Sequence, residues 1–348
     1  MVSTNAVLIV IAIELALAGF GLLLLVGHGV GSAVVESRVA PRLARARQAL
    51  TISLQSDGPV ALEELQRAGR LPSRAQLSLV ADLAPSLSGG QSDRLAEIAG
   101  ELGIVEAAER RCGSRRWRRR LRGARLLTVL GVRSPVIAPL FEDHHPELRA
   151  QAAEWVAEQP TPDNVERLLD LLDDEHTLCR FTVKDSLLRI GSAAADPIAR
   201  RLRRGERAVS PELLTVATWQ AVPAMLEPAL ALAGANDPAV RAGAAGLLGA
   251  LGGAAGAEAL GTLLVDDAPQ VRAAAATALG KIAHWEAAPD LAARLEDRDF
   301  DVRRAAALAL RSLGPSGELQ LRRSLRSPDG FAHDMARQVL DLPAGAAA

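Results

Sequence analysis

Six histidines, two cysteines and a recurring set of aspartates and arginines are the residues of this chain whose types and spacing could do chemistry. His144-His145 follow Glu142-Asp143, and His176 follows Asp173-Asp174-Glu175; the two acidic pairs stand 31 positions apart. If these are corresponding loops of neighbouring units, His145 and His176 could share a metal with an aspartate. Spacing alone does not enforce such a site, and no metal is expected. His284 and His333 stand alone and read as surface residues. Cys112 and Cys179 lie far apart in no metal or redox spacing, a pattern that suits a reducing compartment and supports no disulfide framework. There is no Gly-rich phosphate loop, Gly-x-Ser-x-Gly, paired CxxC or His-Glu-x-x-His motif. Gly252-Gly253-Ala254-Ala255-Gly256 is a turn rather than a nucleotide fingerprint, because no strand precedes it. The sequence therefore shows no catalytic residue and implies no cofactor.

The strongest local charge is Arg110-Arg111-Cys112-Gly113-Ser114-Arg115-Arg116-Trp117-Arg118-Arg119-Arg120-Leu121-Arg122, with Arg125 beyond it. Three chemistries fit. Arg115, Arg116, Arg118, Arg119, Arg120 and Arg122 could lie on anionic lipid headgroups, where each basic residue contributes about 1 kcal/mol. They could contact nucleic acid, although one tryptophan and no aromatic platform or reading motif argue against it. Or they form the solvated face of a helix, paired with acidic neighbours. Arg200-Arg201-Leu202-Arg203-Arg204 reads as the outer face of another helix. The formal net charge is −1, so any polyanion role is local to such a patch.

The elements that must carry these residues are set by a repeat. Val240, Val271 and Val302 are 31 apart, and Arg241, Arg272 and Arg303 follow in step. Leu248, Leu279 and Leu310 keep the interval, as do Leu251, Ile282 and Leu313. Counting back from Arg241 at 30 or 31 residues meets Pro211, where the arginine is missing, and then Arg180, Arg149 and Arg118. Within each unit apolar residues recur at helical steps, with Gly or Pro punctuation, so each unit predicts two helices. A fixed period of this size marks a solenoid.

At this point the chain resembles the HEAT-repeat family, in the short ~30-residue bacterial form also found in phycobilisome lyases. The resemblance covers roughly residues 115–340, is strong over 237–314 and weaker over 205–235, where Trp219 intrudes. It implies an Asp–Arg ladder between adjacent repeats, with Arg149, Arg180, Arg241, Arg272 and Arg303 on one side and Asp237, Asp267 and Asp297 on the other. Both sets read as structural, since they recur in nearly every unit whereas a catalytic residue is needed once.

Upstream, residues 6–30 are apolar apart from Glu14 and His28, about the length a bilayer-spanning helix needs. With no Lys or Arg before it and Arg38, Arg42, Arg45 and Arg47 after it, the expected topology is a single-pass inner-membrane protein with its bulk in the cytoplasm. Glu14, Ala18 and Gly21 share one face of that helix and could dock a partner's transmembrane helix. The expected organisation is all-α: a short tail over 1–5, a transmembrane helix over 6–30, a basic helix and helical cap over 31–114, a solenoid of HEAT-like helix pairs over 115–340 and a tail over 341–348. Its expected role is a non-catalytic scaffold for partner proteins, among them an integral membrane protein. The alternatives are chromophore handling of the kind the phycobilin lyases perform, and anionic-lipid or nucleic-acid binding through Arg110–Arg125.

Overall fold

The computed structural model describes residues 40–54, 73–87 and 89–342. Among them are eighteen α-helices and several short 3-10 turns, with no strand. The all-α class is thus what the structure shows. The expected membrane placement is corrected: no helix among the described residues is long and apolar enough to cross a bilayer. Each is shorter than the ~20 residues a span requires. The stretch 6–30, with Glu14, Ala18 and Gly21, lies outside the described residues, as do 1–5 and 343–348.

By compactness the chain divides into two units, Met1–Ile137 and Ala138–Ala348. The first holds α1 over residues 40–54, α2 (Ser73–Leu83), α3 (Gly90–Glu101), α4 (Ile104–Cys112) and α5 (Trp117–Val129). Ala46, Ala49, Leu50 and Leu54 recur at helical steps, so α1 buries one stripe and leaves Arg42 and Arg45 exposed. Arg47 of α1 pairs with Asp82 of α2. Leu79, Val80, Leu95, Ile98, Ala108, Leu126 and Leu127 complete this core. Glu109 accepts the Ser134 hydroxyl at 2.7 Å.

The second unit is a stack of helix pairs. Its first row is α6 (Pro146–Glu158), α8 (Thr177–Ile190), α10 (Pro211–Gln220), α12 (Pro238–Leu251), α14 (Pro269–Lys281), α16 (Phe300–Ser312) and α18 (Gly330–Leu340). Between them run α7 (Pro162–Asp170), α9 (Ala195–Arg203), α11 (Leu226–Leu232), α13 (Ala254–Leu263), α15 (Ala288–Ala293) and α17 (Pro315–Ser324). Proline opens α6, α10, α12 and α14, where its missing N–H leaves no helical bond unmade and its fixed φ suits the first turn. Side-chain caps do the rest: Ser210 accepts from Leu213 N, Asp237 from Ala239 N and Asp329 from Ala332 N.

Val240, Val271 and Val302 are buried, as are Leu248, Leu279 and Leu310, so the 31-residue interval marks the inward stripe of successive first-row helices. Each such side chain contributes roughly 1.5–3 kcal/mol. Small residues let the row close up. A Cβ built on Gly249 would stand 2.6 Å from the Ala278 Cβ, and one on Gly280 would stand 2.8 Å from the Ala309 Cβ. At both places a glycine of one helix lies on an alanine of the next.

One part of the repeat arithmetic is corrected. Counting by 31 puts Pro211 in the arginine position, but Pro211 opens α10 as Pro238 opens α12. Arg149, Arg180, Arg241, Arg272 and Arg303 are each the fourth residue of their helix, and the fourth residue of α10 is Leu214, fully buried. The reason is a longer loop before α10, containing the 3-10 turn Glu206–Ala208, offset by a shorter hairpin through α11.

Candidate functional site

Three of the ladder arginines, Arg149, Arg241 and Arg272, each hold two loops. Nε and Nη2 of Arg149 donate to the Asp174 carboxylate at 2.5 and 2.8 Å, while Nη1 donates to the Asp143 carbonyl at 2.7 Å. Arg241 grips Asp266 at 2.7 and 2.8 Å and the Ala235 carbonyl at 2.9 Å. Arg272 grips Asp297 at 2.8 Å through both nitrogens and the Asp266 carbonyl at 2.8 Å. The guanidinium fork matches the carboxylate with two parallel bonds, which fixes direction as well as distance. Each aspartate also accepts a backbone N–H at the start of the next helix: His176 N on Asp174, Ala268 N on Asp266 and Asp299 N on Asp297. One carboxylate therefore begins a helix and receives the previous helix's arginine.

These contacts hold the acids in their charged form. The Arg149 hydrogen bonds, against burial and with help from the His176 amide, bring Asp174 down to about 2. The Arg241 bond likewise holds Asp266 below the usual carboxylate range. At Asp297 burial is the largest influence and pushes upward, but Arg272, the Asp299 amide and the nearby charges outweigh it. Burial pushes the Cys179 thiol up to about 12, and proximity to Asp174 adds to this, so it is an inert packing residue here.

The acid that pairs stands three residues before a first-row helix. That position holds Asp174, Asp266 and Asp297, so of the three expected acids only Asp297 lies in it. Asp237 is one residue before α12 and caps it, and Asp267 offers its backbone carbonyl to Arg272 at 3.0 Å. The same position holds Ala208 before α10, Ala235 before α12 and Ser327 before α18. Arg180 consequently binds its own loop, through the Asp174 and Glu175 carbonyls at 2.5 and 3.1 Å and the Thr177 hydroxyl at 3.3 Å. Arg303 does the same through the Asp297 and Arg298 carbonyls at 2.7 and 3.0 Å. At the next junction, where Leu214 stands in the arginine position, Glu206 before α10 accepts the Asp237 amide before α12 at 2.7 Å.

The two helices on either side of the missing pair, α8 and α10, carry exposed apolar side chains. On α8 these are Leu178, Phe181 (70 % exposed) and Leu188, and on α10 Trp219 (47 % exposed), with the Lys184–Glu212 ion pair joining the two helices. Between α9 and α11 lies an open groove of about 530 Å³, lined among others by Leu202, Ala224, Pro228 and Ala231. Trp219 stood out in sequence as an intrusion; Phe181 did not, because exposure on a helix whose both faces carry apolar residues is invisible to periodicity.

Of the arginine run, Arg115, Arg116, Arg118, Arg119 and Arg122 are exposed and carry no ion pair among the described residues, with Arg118 lying over the Trp117 ring at 5.3 Å. Arg120 folds back onto the turn, donating to the Ser114 and Arg115 carbonyls at 3.0 and 3.3 Å. The second run is acid-paired: Arg201 meets Glu166 at 3.2 Å and Asp170 at 2.7 Å. Among the described residues no three His, Cys, Asp or Glu side chains gather to hold a metal. His145 and His176 serve as N-terminal flanks of α6 and α8.

A model of HEAT repeats matches residues 134–214 and 257–340. The interval left between them contains α11 and α12, next to the missing ladder positions. No curated protein matches the chain. Among solved structures, a Kap121p mutant aligns at TM-score 0.54 and 13% identity, over 86% of this chain and 37% of its own. Human deoxyhypusine hydroxylase aligns at TM-score 0.29 and 19% identity, over 90% of this chain and 98% of its own. The CpcE–CpcF complex of phycocyanin lyase from Nostoc sp. PCC7120 aligns at TM-score 0.32 and 16% identity, over 68% of this chain and 93% of its own. The Kap121p likeness shows the fold alone, that of a HEAT-repeat helical solenoid, and this chain spans little more than a third of that protein.

Proposed function

We propose that this HEAT-repeat chain is a non-catalytic scaffold that binds partner proteins through the first-row surface of α8 and α10. The observation that carries the reading is the exposure of Leu178, Phe181 and Leu188 on α8 and of Trp219 on α10, two helices joined by the Lys184–Glu212 ion pair. Solvated aromatic and aliphatic groups gathered beside a rigid helical support are what an interface core requires. The exposed arginines Arg115, Arg116, Arg118, Arg119 and Arg122 supply a further contact for an acidic partner surface. Their regular setting on α5 and the turn before it presents charge without an internal acid to quench it.

The test is a photo-crosslinking amino acid placed at Phe181, Trp219 or Arg119, with Arg322 on α17 as an exposed control. Protein adducts at the first three positions and none at Arg322 are expected, and Phe181→Asp should remove the adduct formed at Trp219. Equal yields at the control position would sink the assignment of this face.

A further inference from the structure

Arg303 closes the ladder and differs from every other member. Its side chain is more than nine-tenths buried, yet Nε and Nη2 have no hydrogen-bond partner among the described residues, and neither is sealed from solvent. The Arg303 Cζ lies over the Phe331 ring at 4.4 Å and over the Phe300 ring at 5.7 Å from the centroids. Both rings are themselves exposed, at 59 % and 54 %. Ser327 occupies the position three residues before α18 that elsewhere supplies the aspartate, and its hydroxyl is engaged with the Asp329 amide at 3.1 Å and Glu296 at 3.2 Å.

We propose that the open edge of Arg303 is a docking site for an aspartate side chain of a partner protein, whose flanking apolar residues pack on Phe300 and Phe331. The chain itself shows what this edge takes: at Arg149, Arg241 and Arg272 the same two nitrogens hold a carboxylate at 2.5–2.8 Å. Nη1 remains anchored to two carbonyls at Arg303, so the fork is already oriented and little side-chain freedom is lost on binding. The two rings beside the guanidinium reduce its hydration, which strengthens the pull of its unpaired Nε and Nη2 on a carboxylate. This inference rests on the scaffold reading and names the partner chemistry at one end of the array.

The test uses the full chain labelled with nitrogen-15 and two probes, N-acetyl-Leu-Asp-Leu-amide and its Asn counterpart. The arginine Nε–Hε signal missing in Arg303→Gln should shift saturably with the Asp peptide, and the Asn peptide should bind at least about tenfold more weakly. Phe331→Ala, which leaves the carbonyl contacts of Arg303 in place, identifies the same signal by the lost ring current if Arg303→Gln does not fold. Ser327→Asp should move that signal without peptide and abolish the response to it, since it supplies the carboxylate from within. No shift up to millimolar peptide, equal shifts with both peptides, or an unchanged response in folded Ser327→Asp would overturn the proposal. Crosslinks at Phe181 that persist while Arg303 stays silent would leave the scaffold reading standing and remove only this site.

Discussion

Asp174 is held by two side-chain bonds from Arg149 and by the His176 amide, and its side chain is only 4 % exposed. Its pKa falls to about 2, below that of an unfolded aspartate. A depressed folded-state pKa means that the stabilisation is fully present above about pH 4 and is lost as pH drops toward 2. The shift corresponds to roughly 2–3 kcal/mol. Asp174→Asn should lower stability at pH 7 by a similar amount, because it leaves the buried Arg149 guanidinium facing a neutral amide. Urea midpoints at pH 7 and pH 3 check both statements: the wild type should lose much of its advantage over Asp174→Asn at pH 3. Indistinguishable midpoints at pH 7 would refute the account. The arginines of this ladder were legible in sequence because they share a period with the core valines. The acids were less so, since Asp266 and Asp267 differ only in distance from a helix start that no residue type marks unambiguously.

Helix against helix, the first row depends on glycine meeting alanine. Gly249→Ala places a methyl 2.6 Å from the Ala278 Cβ and 2.9 Å from its Cα, so α12 and α14 must separate. The change raises intrinsic helix propensity by about 1 kcal/mol, but overpacking costs typically 1–3 kcal/mol and should prevail. A lower thermal midpoint for Gly249→Ala, read by circular dichroism, is expected; a higher one would mean that the row yields without strain. Helix existence was readable from apolar spacing and from the Pro and Gly that punctuate it. The phase of α10 was not. The longer loop before it and the shorter hairpin after it nearly cancel in the count, so a period of 31 runs through Pro211 unbroken while the packed position moves to Leu214. The helix start at Pro211 and the burial of Leu214 reveal the slip.

Across the whole molecule, composition and period were enough to indicate stacked helix pairs, which the HEAT-repeat matches bear out. The membrane placement drawn from residues 6–30 was not supported, since no described helix has the length and apolar content for a span. The exposure of Leu178, Phe181 and Leu188 was not legible, and Trp219 showed only as an intrusion in the repeat, because a sequence shows which residues are apolar but not which of them the neighbouring helix fails to cover.

Because one aspartate both starts a helix and receives the previous arginine, every junction in the regular stretch has interchangeable halves. Cutting out residues 266–296, one full period, would bring Asp297 into the register Asp266 now occupies opposite Arg241. The same cut would set Gly249 against Ala309, the contact Gly280 makes at present. The shortened chain should therefore fold cooperatively, with a thermal midpoint within about 10 °C of the parent; aggregation or loss of the helical signal would show that the junctions are not equivalent. Such a chain could gain or lose units by recombination without redesigning its joints, so that its length becomes a variable and its grammar a constant.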